Sequence, residues 1–259
     1  MIDRRRFLSV VGTGAALAAV GRIRILDAQR PVPARSVVLV HGAYADGSSW
    51  GRVIRPLQDA GLRVTAVQNP LTSLSDSVAA TRRALAQQQG PTVLVGHSWG
   101  GTVVSEVGGD PTVSALVYIA ARAPDAGEDF TALAKRFPTA PAAAGLVTTD
   151  GFAQLNEQAF LEDFANGVDS ATARVLYAEQ APIAATLFAG RTTIAAWRSK
   201  PSWYAVSKRD RTIAPELERF LAARMKATTI ELDAGHLSLV SHPQEVARLI
   251  VAAAAGVPS

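Results

Sequence analysis

Residues 92–101 read Thr-Val-Leu-Val-Gly-His-Ser-Trp-Gly-Gly, and this run constrains the fold more than any other. Its β-branched, apolar start has no polar alternation, the mark of a strand buried on both faces. A Gly-x-Ser-x-Gly pentapeptide then opens a helix, which makes a very sharp strand-to-helix turn. Such a turn strains its central residue and leaves no room for side chains on either side, hence Gly96 and Gly100. It also lifts the Ser98 hydroxyl above the sheet, at the positive end of the new helix. A phosphate-binding turn would need G-x-x-x-x-G-K-[ST] or G-x-G-x-x-G, and the chain has neither.

The rest of the chain supplies the sheet that such a turn requires. Strands are expected at Ser36–Val40, Leu62–Val67, Thr92–Val95, Val113–Ala120, Ser202–Ser207 and Thr228–Leu232. Helices alternate with them. Trp50, Val53, Ile54 and Leu57 follow i, i+3, i+4, i+7 spacing up to Gly61, with Pro56 bending that helix. Ser75–Gln89, Trp99–Val107, Pro215–Lys226 and Pro243–Ala255 are the others. Repeated strand–helix–strand units dictate an α/β fold: a mostly parallel sheet of about six strands flanked by helices. Residues from about 123 to 200 break the rhythm and are expected to form an inserted helical cap. The domain spans 36–259, after a Pro-flanked linker at 29–35.

A serine hydroxyl is a poor nucleophile at neutral pH and needs a base, itself oriented by an acid. Four histidines are candidates. His236, on a turn just past the last strand, shares a sheet edge with Ser98, because parallel strands all end on one side. It is the expected base. His41 follows the first strand and is expected to brace its loop, His97 to point away from Ser98, and His242 to start a helix. The expected acid is Asp210, after the Ser202–Ser207 strand, with Asp125 as the rival and Asp233 as a turn former. The order Ser98, Asp210, His236 agrees. An oxyanion needs two backbone N–H donors. Trp99 offers one at the helix start, and Ala43 or Tyr44 the second, with Ala43 preferred.

Composition excludes several other chemistries. The chain has no cysteine, which removes disulfides, thiolate metal sites and a cysteine nucleophile. Four histidines make a histidine-rich metal centre improbable. The net charge of +4 belongs mostly to residues 1–28, which carry +3 and leave +1 on the rest, so no nucleic-acid surface is expected. That leader has a basic head and a weakly apolar stretch from Phe7 to Val20, too short for a membrane span. Arg4-Arg5-Arg6-Phe7-Leu8 resembles the twin-arginine export signal, which implies a periplasmic or secreted product with no stable membrane insertion after processing.

Residues 36 to the C-terminus resemble the α/β-hydrolases. The segments LVHGAYADGSSW, VGHSWGG, VSKRDRTI and LDAGHLSLV resemble the compact esterase branch that includes plant methylesterases and hydroxynitrile lyases. The resemblance implies cofactor-free, metal-free hydrolysis of a small-molecule ester, with Ser98, His236 and Asp210 at the triad positions. The lyases carry lysine directly after the histidine, where this chain has Leu237, and that disfavours cyanohydrin cleavage. Phe130, Phe137, Phe152, Phe160, Phe164, Phe188 and Trp197 make the cap apolar. Tyr44 and Trp197 are expected at the substrate pocket, and Arg122 and Arg198 as solvated charge near the cap hinges. The expected substrate is therefore a small, uncharged, apolar or aromatic ester. A ligand receptor, a lyase or a cofactor-free perhydrolase on the same fold remains the alternative.

Overall fold

The runs expected as buried strands form one sheet in the computed structural model, which describes residues 33–256. The chain enters through β1 (Ser36–Val40), α1 (Gly51–Asp59) and β2 (Arg63–Val67). It continues through α2 (Leu74–Ala86), β3 (Thr92–His97), α3 (Gly100–Val107) and β4 (Val113–Ile119). The leader expected at 1–28 lies outside the described residues.

The segment expected as a helical cap comes next and is only partly helical. It holds α4 (Phe130–Ala134), a hairpin of β5 (Leu146–Thr149) and β6 (Phe152–Leu155), and α5 (Glu157–Ala159), which runs into a wider turn at Phe160–Phe164. α6 (Ser170–Ala178) and the two-residue β7 (Ile183–Ala184) follow, and β5, β6 and β7 pair as a small antiparallel sheet. The hairpin turn at Asp150-Gly151 has positive φ at both residues, 50° and 80°, the geometry that an Asp-Gly pair favours. β8 (Ser202–Ser207), α7 (Pro215–Met225), β9 (Thr228–Leu232), α8 (Ser238–Ser241) and α9 (Pro243–Ala255) complete the fold.

The large sheet has the order β2-β1-β3-β4-β8-β9, with every neighbouring pair parallel. All residues of β1, β3 and β8 are buried, as an uninterrupted apolar run requires. The two outer strands, β2 and β9, are mostly only part-buried and carry charges such as Arg63 and Glu231, which blunt the edges. Burying each Val or Leu of the central strands contributes about 1.5–3 kcal/mol, so stability is concentrated beneath the site.

The strand order also places the site. The chain moves outward from β1 to β2 and then back past β1 to β3. Right-handed crossovers in opposite directions put α1 and α2 on opposite faces. Between β1 and β3 the carboxyl ends therefore open a crevice, where ligands bind in sheets of this kind. The loop after β1 and the turn at Ser98 both face it.

Candidate active site

Ser98 sits on the turn between β3 and α3 with φ +53°, a left-handed conformation that is strained for a residue with a side chain. Its backbone is held there from three directions. The N–H donates to Ile119 O at 3.2 Å, and the carbonyl accepts from Gly101 N at 3.1 Å and Arg122 N at 3.0 Å. The glycines do the work expected of them. A Cβ on Gly96 would stand 2.8 Å from the Gly100 backbone, and one on Gly100 only 2.5 Å from Val40 O.

The loop after β1 closes on the same turn. A Cβ on Gly42 would lie 2.6 Å from Ser98 Cβ. His41 braces this loop: its Nε2 accepts the Asn69 backbone N–H at 2.8 Å, which leaves the proton on Nδ1, 2.9 Å from Gly42 O. Burial lowers the His41 pKa and favours this neutral form. Tyr44 adopts φ +61°, and its ring meets Phe164 and Phe188 edge-on at 6.0 and 6.3 Å. Among the described residues, no backbone carbonyl takes the N–H of Trp99, Ala43 or Tyr44.

His236 follows β9 on a loop and is fully buried. Its Nδ1 lies 2.5 Å from Asp210 Oδ2, and the other Asp210 oxygen accepts from Thr212 N at 2.6 Å and Ile213 N at 2.9 Å. The ring packs between His97 and Phe164, with centroids at 4.7 and 5.2 Å. His97 turns its Nε2 to the His236 carbonyl at 3.1 Å. It is thus a brace for the histidine loop, and burial, followed by the neighbouring His236, keeps its pKa well below the ordinary value. His236 Nε2 has no hydrogen-bond partner, Ser98 Oγ included.

Asp125 is engaged elsewhere, with both carboxylate oxygens on Arg198. Asp233 pairs with Arg209 at 3.2 Å. His242 stands at the start of α9. The structure thus brings Asp210, not Asp125, to His236, and sets Ser98 directly after the His97 that the base packs against.

One buried acid was not expected from the sequence. Glu218, on α7, is fully buried and accepts the Ser207 N–H at 3.0 Å. Burial raises its pKa well above the usual carboxylate range, and the negative charge of Asp210 raises it further. In the sequence it is one Glu in a helix rich in charge, with nothing to mark it as the inward one.

Ser98, Trp99, Ala43 and Tyr44 line a cavity of about 360 Å³, within the usual range for small ligands. Phe130 and Phe188 from the cap supply aromatic walls. Trp197, expected there, is absent from the lining. Its indole N–H donates to Pro124 O at 2.9 Å and its ring lies against Arg198 and Arg224, so it packs the cap hinge instead. Arg122, expected as solvated charge, is only 8% exposed and lines the cavity. Arg198 remains at the surface. The described residues hold no cluster suited to a metal ion and no helix long and apolar enough to cross a membrane.

A profile described as the alpha/beta hydrolase family matches residues 37–249. Among solved structures, polyneuridine aldehyde esterase superposes with a TM-score of 0.73 at 18% identity, covering 84% of this chain and 98% of that one. An extracellular α/β-hydrolase from a Paenibacillus species gives 0.70 at 21% identity, with 84% and 98% covered. A pyrethroid hydrolase from Sphingobium faniae JZ-2 gives 0.69 at 19% identity, with 85% and 97% covered. At these identities the likeness is one of fold. No curated protein matches by sequence.

Proposed function

The chain belongs to the alpha/beta hydrolase family, and from that membership we propose that it is a serine carboxylesterase acting on small esters with an apolar or aromatic body. The observation that carries this reading is the buried Asp210–His236 pair, 2.5 Å apart, at the strand edge where Ser98 is held at φ +53°. With Asp210 accepting at Nδ1, the imidazole proton resides there. Nε2 then presents a lone pair with nothing else to bind.

Ser98 Oγ forms a bond to the ester carbonyl carbon while its proton passes to His236 Nε2. The carbonyl oxygen takes up the negative charge, facing the Trp99 and Ala43 N–H groups, and each such donor is worth about 3–4 kcal/mol in the transition state. Collapse breaks the bond to the alcohol, which leaves with the proton from His236. Water then attacks the acyl-enzyme by the same route and releases the acid. Asp210 holds the ring and stabilises its transient positive charge. Leu237, buried beside the base, supplies no ammonium group for cyanide chemistry.

The decisive experiment is turnover of short p-nitrophenyl esters by Ser98→Ala protein. Loss of several orders of magnitude is expected, and turnover equal to the parent would overturn the reading. We further propose that the leader directs export by the twin-arginine route, on the strength of Arg4-Arg5-Arg6-Phe7-Leu8.

A further inference from the structure

Arg122 lies just beyond β4 and is tied to the serine turn through its backbone N–H, 3.0 Å from Ser98 O. Its side chain is turned inward. The guanidinium carbon stands 4.2 Å from the Phe130 ring centre and 5.2 Å from that of Phe188, so both aromatic cavity walls flank it. Yet its Nε is buried without an acceptor, and among the described residues no carboxylate forms an ion pair with it.

This isolation has a specific cause. The segment after Arg122 carries three acids, and each is taken by a different arginine from a distant part of the chain. Asp125 binds Arg198, Glu128 binds Arg224 at 2.7 Å, and Asp129 binds Arg191 at 3.0 Å. Asp129 is close enough to act on Arg122 through its charge but is already committed to Arg191 and to capping α4. Desolvation lowers the Arg122 pKa to about 10, so the group keeps its charge at neutral pH.

A buried cation without a partner is costly, and stacking on aromatic faces offsets only part of that cost. The cavity lining adds the other half of the argument. It contains Arg122 and, at an exposed position, Lys135, but no Asp or Glu. The field inside is therefore positive, at a planar fork suited to a carboxylate.

Resting on the esterase reading above, we infer that Arg122 binds a carboxylate on the substrate, so that the preferred esters are half-esters with an apolar or aromatic body, an ester at one end and a free carboxylate at the other. This replaces the uncharged substrate expected from the sequence. The same chemistry could come from the acid product of any ester, and the test separates the two sources.

Monomethyl glutarate is compared with its uncharged amide counterpart, methyl 4-carbamoylbutanoate, as substrates of the same shape. The expected ratio of kcat/KM favours the carboxylate by about 10- to 100-fold, the range of a charge-assisted hydrogen bond, and shrinks as salt is added. Arg122→Gln should reduce the ratio to near one, and Arg122→Lys should keep part of it. Equal kcat/KM for the two esters in the parent protein overturns the inference without recourse to any variant that fails to fold. So does a ratio of one combined with Arg122-dependent inhibition by valerate, since Arg122 would then bind only product. Calorimetric titration of both esters into Ser98→Ala protein reads binding apart from chemistry. Tighter binding of the carboxylate there upholds Arg122 even if the Ser98 substitution leaves turnover intact and the esterase reading fails. Equal affinity for both overturns it.

Discussion

His236 Nδ1 lies 2.5 Å from Asp210 Oδ2, with both side chains excluded from solvent. The carboxylate has no freedom to turn, because its other oxygen takes two backbone N–H groups from Thr212 and Ile213. Asp210→Asn keeps the shape and removes the charge. The imidazole can then adopt the wrong tautomer, and a change of this kind in a serine triad lowers kcat about 10⁴-fold. Esterase kinetics with a matched unfolding curve check this: activity should fall by three to four orders of magnitude while the fold persists. A loss under tenfold would remove Asp210 from the proposed triad.

Gly42 gives a second test, directed at geometry alone. Adding a methyl group there places a carbon 2.6 Å from Ser98 Cβ, so the loop and the serine turn must separate. Displacement of reacting groups by about 1 Å can cost roughly 10²-fold in rate. We expect Gly42→Ala to lower kcat at least that much. Parent-like kcat in a folded Gly42→Ala protein would mean that this loop does not shape the site.

How far the sequence reveals this structure depends on the range of the interactions involved. β1, β3 and β8 are legible because strands buried on both faces carry apolar runs without polar alternation, and Ser98 because its turn demands glycines at fixed offsets. The cap is less so. β5 is exposed throughout and β7 has two residues, so neither shows a hydrophobic period. The Asp150-Gly151 pair favours a tight hairpin turn, but the exposed β5 beside it gives no alternating strand to go with it. Arg122 and Glu218 are of another kind. Whether Arg122 is paired depends on Arg191, Arg198 and Arg224, which only the tertiary fold brings to its neighbouring acids. Glu218 is buried by a strand more than ten residues away in sequence.

The leader can be tested independently of the enzyme. Replacing Arg4 and Arg5 by lysine keeps its charge but removes the paired guanidinium groups of the proposed export motif. Cell fractionation should then find the precursor retained in the cytoplasm, where the parent chain appears in the periplasm or medium. Equal export of the two forms would count against the twin-arginine route.

Buried groups of opposite tendency give the stability an unusual pH dependence. His41 and His97 have pKa values lowered by burial, so below about 6.5 the unfolded chain binds protons that the folded one does not. Their contribution is present above that pH and is lost on acidification, at up to about 1.4 kcal/mol per pH unit for each. Glu218 acts in the reverse sense. Its folded pKa is raised above the unfolded value of 4.5, so its contribution is complete below that pH and declines as pH rises toward the folded value. Just below pH 6.5 the histidines raise stability with pH while Glu218 lowers it, so the two effects oppose each other there. Above 6.5 the histidine contribution no longer changes with pH, and the Glu218 effect is unopposed by it. Glu218→Gln keeps an oxygen for the Ser207 N–H and cannot ionise, so it should remove the decline that Glu218 causes as pH rises. Urea unfolding of both proteins from pH 5 to 8 measures this, with the stability difference expected to widen in favour of Gln as pH increases. Parallel curves across that interval would mean that Glu218 is not held protonated in the folded protein.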